Sequence, residues 1–167
     1  VTLPDAQQLI SSPSLSTEPH QQWADLGCGD GLFSKALLSL LPTGSIVHAI
    51  DQTPQTFLET HIKFQKLNFE KEDLELPLLN GILMANSLHF IKDKQTLLER
   101  LKNNLLPTGS FILIEYDLLV ANRWVPYPLN YMAAIKLFKA AGFDSIEKIG
   151  ERKSLFNNST IYSLHIS

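Results

Sequence analysis

Between an apolar run at 23–26 and an amphipathic stretch at 32–41, the chain reads Asp25-Leu-Gly-Cys-Gly-Asp-Gly31. Glycine tolerates backbone conformations that other residues resist, so this segment turns sharply and lets a ligand approach the main chain. The run before it suits a short buried strand, and the leucines after it recur at helical spacing until Pro42 stops them. A strand, a tight turn and a helix in that order put the turn, with the free N–H groups of the helix start, at the carboxyl edge of a parallel sheet. A ligand site is expected at that edge.

The same alternation continues along the chain. Residues 45–50 are apolar and β-branched enough for a second buried strand, and Thr53 before Pro54 predicts a helix N-cap and a short second helix. Ile62 and Phe64 alternate with Lys63 and Gln65 as in a strand with one wetter face, whereas 81–85 is apolar throughout, as in a central strand covered on both faces. The stretch 70–79 is too short for a full helix and is expected to be a turn or loop. Leucines at 97, 98, 101 and 105 mark one face of a helix over 93–106, and 111–116 is the next buried strand. A helix over 129–141, with Met132, Ile135 and Phe138 in register, stops at Gly142, and strands near 145–149 and 160–166 close the chain as an antiparallel hairpin. This pattern predicts a three-layer α/β sandwich: a Rossmann-like, mostly parallel sheet of seven strands with an antiparallel last strand. The organised domain is expected to run over 21–167, preceded by a helix and loop over 1–20 that would serve as a substrate lid. The words Leu-Leu-Pro-Thr-Gly-Ser occur at 40–45 and 105–110, each time between helix and strand, and read as convergent αβ turns.

Composition narrows the function. With 44% apolar and 19% charged residues and a net charge of −3, the chain lacks the basic balance that phosphate-rich partners demand, so nucleic acid is disfavoured. Cys28 is the single cysteine, which excludes an internal disulfide and a zinc–cysteine cluster. The histidines His20, His48, His61 and His165 form no ligand spacing, and no metal site is expected. Apolar runs are far shorter than the roughly 20 residues of a membrane span. The N-terminal stretch shows no basic segment followed by an apolar core, so a cytoplasmic setting is the expectation.

The loop itself rejects two phosphate sites. The dinucleotide fingerprint needs a small residue where Leu32 stands, and no Lys-Ser or Lys-Thr pair follows the glycines as in nucleotide hydrolases. Asp51 closes the second strand, where α/β nucleotide-binding folds place a carboxylate for the ribose hydroxyls. An acid at 25 suits an ammonium group and Asp51 suits a sugar, a combination that points to S-adenosylmethionine.

At this point the sequence resembles the class I S-adenosylmethionine-dependent methyltransferases, on the motifs Trp23-Ala-Asp-Leu-Gly-Cys-Gly-Asp-Gly-Leu-Phe33, Val47-His-Ala-Ile-Asp51, Asn68-Phe69 and the segment 80–93. The resemblance implies that Asp25, Gly27, Cys28, Gly29 and Gly31 line the amino-acid part of the cofactor. It also implies that Asp51 with Gln52 meets the ribose, Asn68 with Phe69 the adenine, and Asn86 with Ser87 the sulfonium side. Asn68 replaces the usual aspartate, yet its amide oxygen still accepts a hydrogen bond from the adenine amine. Asn80 likewise stands where an aspartate often opens the fourth strand. Cys28 reads as a packing residue within the loop rather than a nucleophile. The product would be S-adenosylhomocysteine, and the acceptor a small molecule. The fourth strand lacks the Pro-Pro-aromatic element of enzymes that methylate nucleic-acid amines. His89 is the candidate general base, opposed by a reading as a loop-packing histidine. Glu115, Tyr116, Trp124 and Tyr127, together with Arg123, are expected around the acceptor pocket. A non-catalytic module that binds the cofactor or a partner, and a dinucleotide-dependent oxidoreductase, are the competing readings.

Overall fold

The computed structural model describes residues 1–154 and 159–167. Helix α1 (Leu3–Ile10) starts on a capping box: the Thr2 hydroxyl accepts from Asp5 N, and the Asp5 carboxylate accepts from Thr2 N at 2.8 Å. Strand β1 (Gln22–Leu26) leads through the glycine loop into α2 (Leu32–Leu40), and β2 (Ile46–Asp51) pairs parallel to β1 in register, with Asp25 opposite Ala49. β3 (Ile62–Lys66), β4 (Leu79–Ala85), α3 (Lys94–Lys102), β5 (Leu105–Tyr116), α4 (Tyr131–Ala140), β6 (Ile146–Lys153) and β7 (Thr160–Ile166) follow. One seven-stranded sheet results, in the order β3-β2-β1-β4-β5-β7-β6, with β7 antiparallel to both of its neighbours. The expected sandwich is therefore the fold.

Strand alternation divides the core. Ala24 and Leu26 of β1 and Phe111 and Leu113 of β5 face α3 and α4, whereas Trp23, Ile112 and Ile114 face α1 and α2. Phe111, Phe138 and Phe143 meet edge to face, with ring centroids 5.4–5.7 Å apart. The buried residues of α4 are Ala134 and Phe138, flanked by Tyr131 and Leu137, while Met132 points to solvent. Phe138 is thus buried as expected, whereas Met132 falls outside the buried stripe.

Three local expectations change in the folded chain. No helix follows Thr53: the segment is short and has Phe57 as its one packed apolar anchor, so it has no face to bury along a helix. Thr53 N donates to the Asp51 carboxylate at 2.8 Å instead of opening a helix. Helix α3 ends at Lys102, and 105–110 is not a free turn. Leu105 pairs with Leu79 and Ser110 with Gly81, so the Leu-Pro-Thr-Gly segment bulges out of a strand already begun. Residues 1–20 pack onto the domain. Ala6, Leu9, Ile10 and Leu15 are buried in the α2-side core, and Gln7 hydrogen-bonds Ser39 at 2.7 Å, so an apolar stripe anchors the segment away from the carboxyl edge.

Candidate functional site

The connections out of β1 and β4 run in opposite directions along the sheet, and the crevice that this reversal opens lies at their carboxyl ends. The glycine loop forms its floor. Gly27 N and Cys28 N both donate to Ile50 O, at 2.8 and 3.1 Å, which ties the loop to β2. A side chain at Gly27 would bring its Cβ within 2.6 Å of Ser87 Cβ, so glycine is what lets β1 and β4 converge. Ser87 closes the same junction by donating to Leu26 O at 2.6 Å. Gly29, with a left-handed φ of +52°, has open space where a Cβ would stand. Its side of the loop leaves the backbone available to a ligand.

Asp51 organises this floor. One carboxylate oxygen accepts from Gly29 N at 2.9 Å and the other from Thr53 N at 2.8 Å. Each oxygen keeps a second lone pair, so Asp51 can hold the loop and still accept from a ligand hydroxyl. Asp25 is placed differently from the expectation. It is fully buried beneath the loop and does not line the crevice; one oxygen accepts from Ser34 Oγ at 2.6 Å and the other has no hydrogen-bond partner. The cause is strand alternation, which turns Asp25 toward α2 with Trp23. Burial, partly offset by the Ser34 hydrogen bond and reinforced by Asp51, pushes its carboxyl up to about 7. Burial first, then the charges of Asp25 and Asp51, push the Cys28 thiol up to about 12, which favours the protonated thiol. Gly31 also stands off the cavity, packed against the Phe57 ring as the N-cap of α2.

The crevice encloses about 660 Å³. From the loop come Gly27, Cys28 and Gly29; from the end of β2, Asp51 and Gln52; beyond β3, Asn68 and Phe69; and from the end of β4, Asn86 and Ser87. The structure brings all of these expected residues together. Its charged lining residues are Asp30, Asp51 and Glu70, and no Lys, Arg or His lines it among the described residues. Leu32, Phe33, Phe90 and Ile91 supply apolar walls that the sequence did not single out.

A second cavity of about 660 Å³ adjoins the first and shares Asn86 and Phe90 with it. Tyr116, Trp124 and Val125 give it apolar walls, with His89 and Asn122 beside them. Asn86, at the junction, has a left-handed φ of +53° and a buried side-chain oxygen without a hydrogen-bond partner. Tyr127, expected in this pocket, is not among its walls; its backbone N donates to His89 O at 3.0 Å. Glu115 lies behind His89 instead of in the pocket. It is fully buried, with one oxygen accepting from His89 N at 3.0 Å and the other 2.7 Å from His89 Nδ1. No local pattern signals this pair, which joins residues 26 apart through adjacent strands.

The fold is an α/β domain with a crevice at the point where strand order reverses. The chain belongs to the methyltransferase domain family, whose model matches residues 24–111. No curated protein matches the sequence. Among solved structures it is similar to human N-acetylserotonin methyltransferase in complex with S-adenosylmethionine, at 22% identity and a TM-score of 0.67, over 96% of this chain and 50% of that one. It is also similar to the arsenic(III) S-adenosylmethionine methyltransferase of Chlamydomonas reinhardtii, at 15% identity and TM-score 0.68, over 89% and 63% of the two chains. A third is the 1,6-didemethyltoxoflavin-N1-methyltransferase of Burkholderia thailandensis with bound 1,6-didemethyltoxoflavin and S-adenosylhomocysteine, at 19% identity and TM-score 0.67, over 88% and 71%. The chain thus spans about half to two thirds of the length of the first two, and likeness at these identities speaks to fold.

Proposed function

We propose that the protein is an S-adenosylmethionine-dependent methyltransferase that holds its cofactor in the first cavity and a small-molecule acceptor in the second. The observation that carries this reading is the charge of the first cavity. Asp30, Asp51 and Glu70 line it without a cation among the described residues, beside a glycine-floored loop. Such a lining repels a diphosphate and suits a nucleoside that carries an ammonium and a sulfonium group. The residues present fit that ligand: Asp51 keeps lone pairs for ribose hydroxyls, Phe69 and Asn68 stand where adenine would lie, and Asn86 offers an unpartnered oxygen at the junction. When bound, the cofactor supplies an electrophilic methyl group that a nucleophile displaces in line.

The chain's own contribution is alignment, exclusion of water and control of one proton. Asn86 and Phe90 belong to both cavities, so the transferred group and its acceptor meet there. His89, lining the second cavity, is the candidate base. Titration calorimetry with S-adenosylmethionine and S-adenosylhomocysteine tests the reading: both are expected to bind the wild type, and Gly29→Arg, which fills the open side of the loop, and Asp51→Ala are expected to abolish or sharply weaken binding. A wild type that binds neither compound, or variants that bind as well as the wild type, would refute it.

A further inference from the structure

β6 is the outermost strand on the hairpin side of the sheet, and only β7 pairs with it among the described residues. Its other edge presents N–H and C=O groups that no strand takes up, and such an edge is a template for a further strand. Charge usually guards it, and Glu147, Lys148, Glu151, Arg152 and Lys153 make five of the eight residues of β6. The order of those charges decides whether the edge repels a second copy of itself.

The pairing with β7 shifts register between Lys148 and Gly150, and this bulge turns two consecutive residues toward α1. Ile149 packs into the core on the α1 and α2 side, and a Cβ on Gly150 would stand 3.4 Å from Leu9 of α1. Arg152 is on that face too, paired with Asp5 of α1 at 2.7 Å. So is Glu147, which stands across from His165, whose ring contacts Ser14 at 2.9 Å in the segment after α1. The other face, toward α4, carries Ile146 against the core, Lys148 with its Nζ 5.2 Å from the Tyr131 ring centroid, and Glu151, which accepts from Lys148. The pattern of faces is therefore symmetric about the point between Ile149 and Gly150: 147 and 152 share one face, 148 and 151 the other.

The charges follow the same symmetry with opposite sign. A two-fold axis through that point, normal to the sheet, sets two β6 strands antiparallel, with Glu147 of one copy opposite Arg152 of the other and Lys148 opposite Glu151. Each pair occurs twice, every pair shares a face, and no like charges meet. Moving the axis onto Ile149 would set Glu147 opposite Glu151, and moving it onto Gly150 would set Lys148 opposite Arg152. Within one chain Glu147 is exposed, with no side-chain hydrogen bond or ion pair among the described residues. Arg152, held by Asp5, keeps donors for a second carboxylate. A guard of like charges would repel a second copy, whereas this arrangement matches one.

We propose that β6 is a self-pairing edge: two copies of this chain join β6 to β6 antiparallel about a two-fold axis between Ile149 and Gly150, forming one continuous sheet. β5 and β7 stand between β6 and β4, so the crevice of each copy lies away from the junction.

Sedimentation equilibrium of the full chain from micromolar to millimolar concentration reads its mass, and hydrogen exchange of residues 146–153 reads the edge. The expected result is a reversible dimer whose β6 amides gain protection as concentration rises. Lys148→Glu and Glu151→Lys, both at exposed positions, each turn the two Lys148–Glu151 pairs into like-charge contacts and should weaken the dimer about 10-fold or more. Mixed in equal amounts, the two variants restore every pair in a heterodimer, so the mixture should associate as the wild type does while each variant alone does not. Complementation of this kind depends on the register and not on net charge. A wild type that stays monomeric throughout, a dimer without added protection in β6, variants that dimerise as well as the wild type, or variants that fail to complement each other would overturn the proposal. The exchange measurement on the wild type decides the matter even where a variant fails to fold.

Discussion

Asp25 should make the protein less stable as pH rises, and Asp25→Asn isolates the effect. Its carboxyl is fully buried, and burial pushes it from the ordinary 3.8 up to about 7. Between those values the folded state keeps a proton that the unfolded chain has lost, so unfolding releases it and stability falls as pH increases. Each pH unit in that window is worth about 1.4 kcal/mol, and the slope flattens as the folded-state carboxyl itself ionises near 7. From pH 5 to pH 7 the wild type should therefore lose about 2 kcal/mol relative to Asp25→Asn, whose amide oxygen still accepts from Ser34 but does not titrate. His48 and His165, both held below their ordinary value mainly by burial, titrate nearby with the opposite sign. They do so in both proteins and cancel in the difference. Urea unfolding at pH 5, 6, 7 and 8 measures this directly, and heating should show the two melting temperatures diverging by about 4–8 °C. Parallel stability curves would refute the reasoning, because they would mean that Asp25 is ionised in the fold and solvated in some way that its burial denies.

Other consequences are as sharp. Asp51→Asn keeps one oxygen but loses the charge that holds Gly29 N and Thr53 N, and should weaken S-adenosylmethionine binding about 10- to 100-fold by calorimetry. Gly27→Ala forces a methyl group against Ser87 at a left-handed φ of +79° and should cost about 1–3 kcal/mol in urea unfolding. Tyr162→Phe removes a buried 2.6 Å hydrogen bond to Leu129 O just ahead of α4 and should cost about 1 kcal/mol. Phe138→Ala empties the centre of the three-ring cluster under α4 and should cost about 3–5 kcal/mol, with the loss read as a lower urea midpoint.

What the chain wrote into its own local order was the architecture and the address of the site. Strand and helix periods, the proline and glycine stops, and the loop at 25–31 are short-range properties, and the sheet and its crevice follow from them. Asp51 was legible for the same reason, since the carboxyl ends of parallel strands converge on one edge, whereas Phe69 and Asn86 were singled out only through the family resemblance. Tertiary structure decided what depends on which way a side chain turns and what stands across from it. Asp25 faces α2 rather than the crevice, Thr53 bonds back to Asp51 rather than starting a helix, and the first helix is anchored in the core. The contact of His89 with Glu115 exists because β4 and β5 lie side by side, a pairing of distant segments that no local pattern encodes. Local order fixes where chain segments turn; only packing fixes which acids are sealed in the interior and which are left facing a ligand.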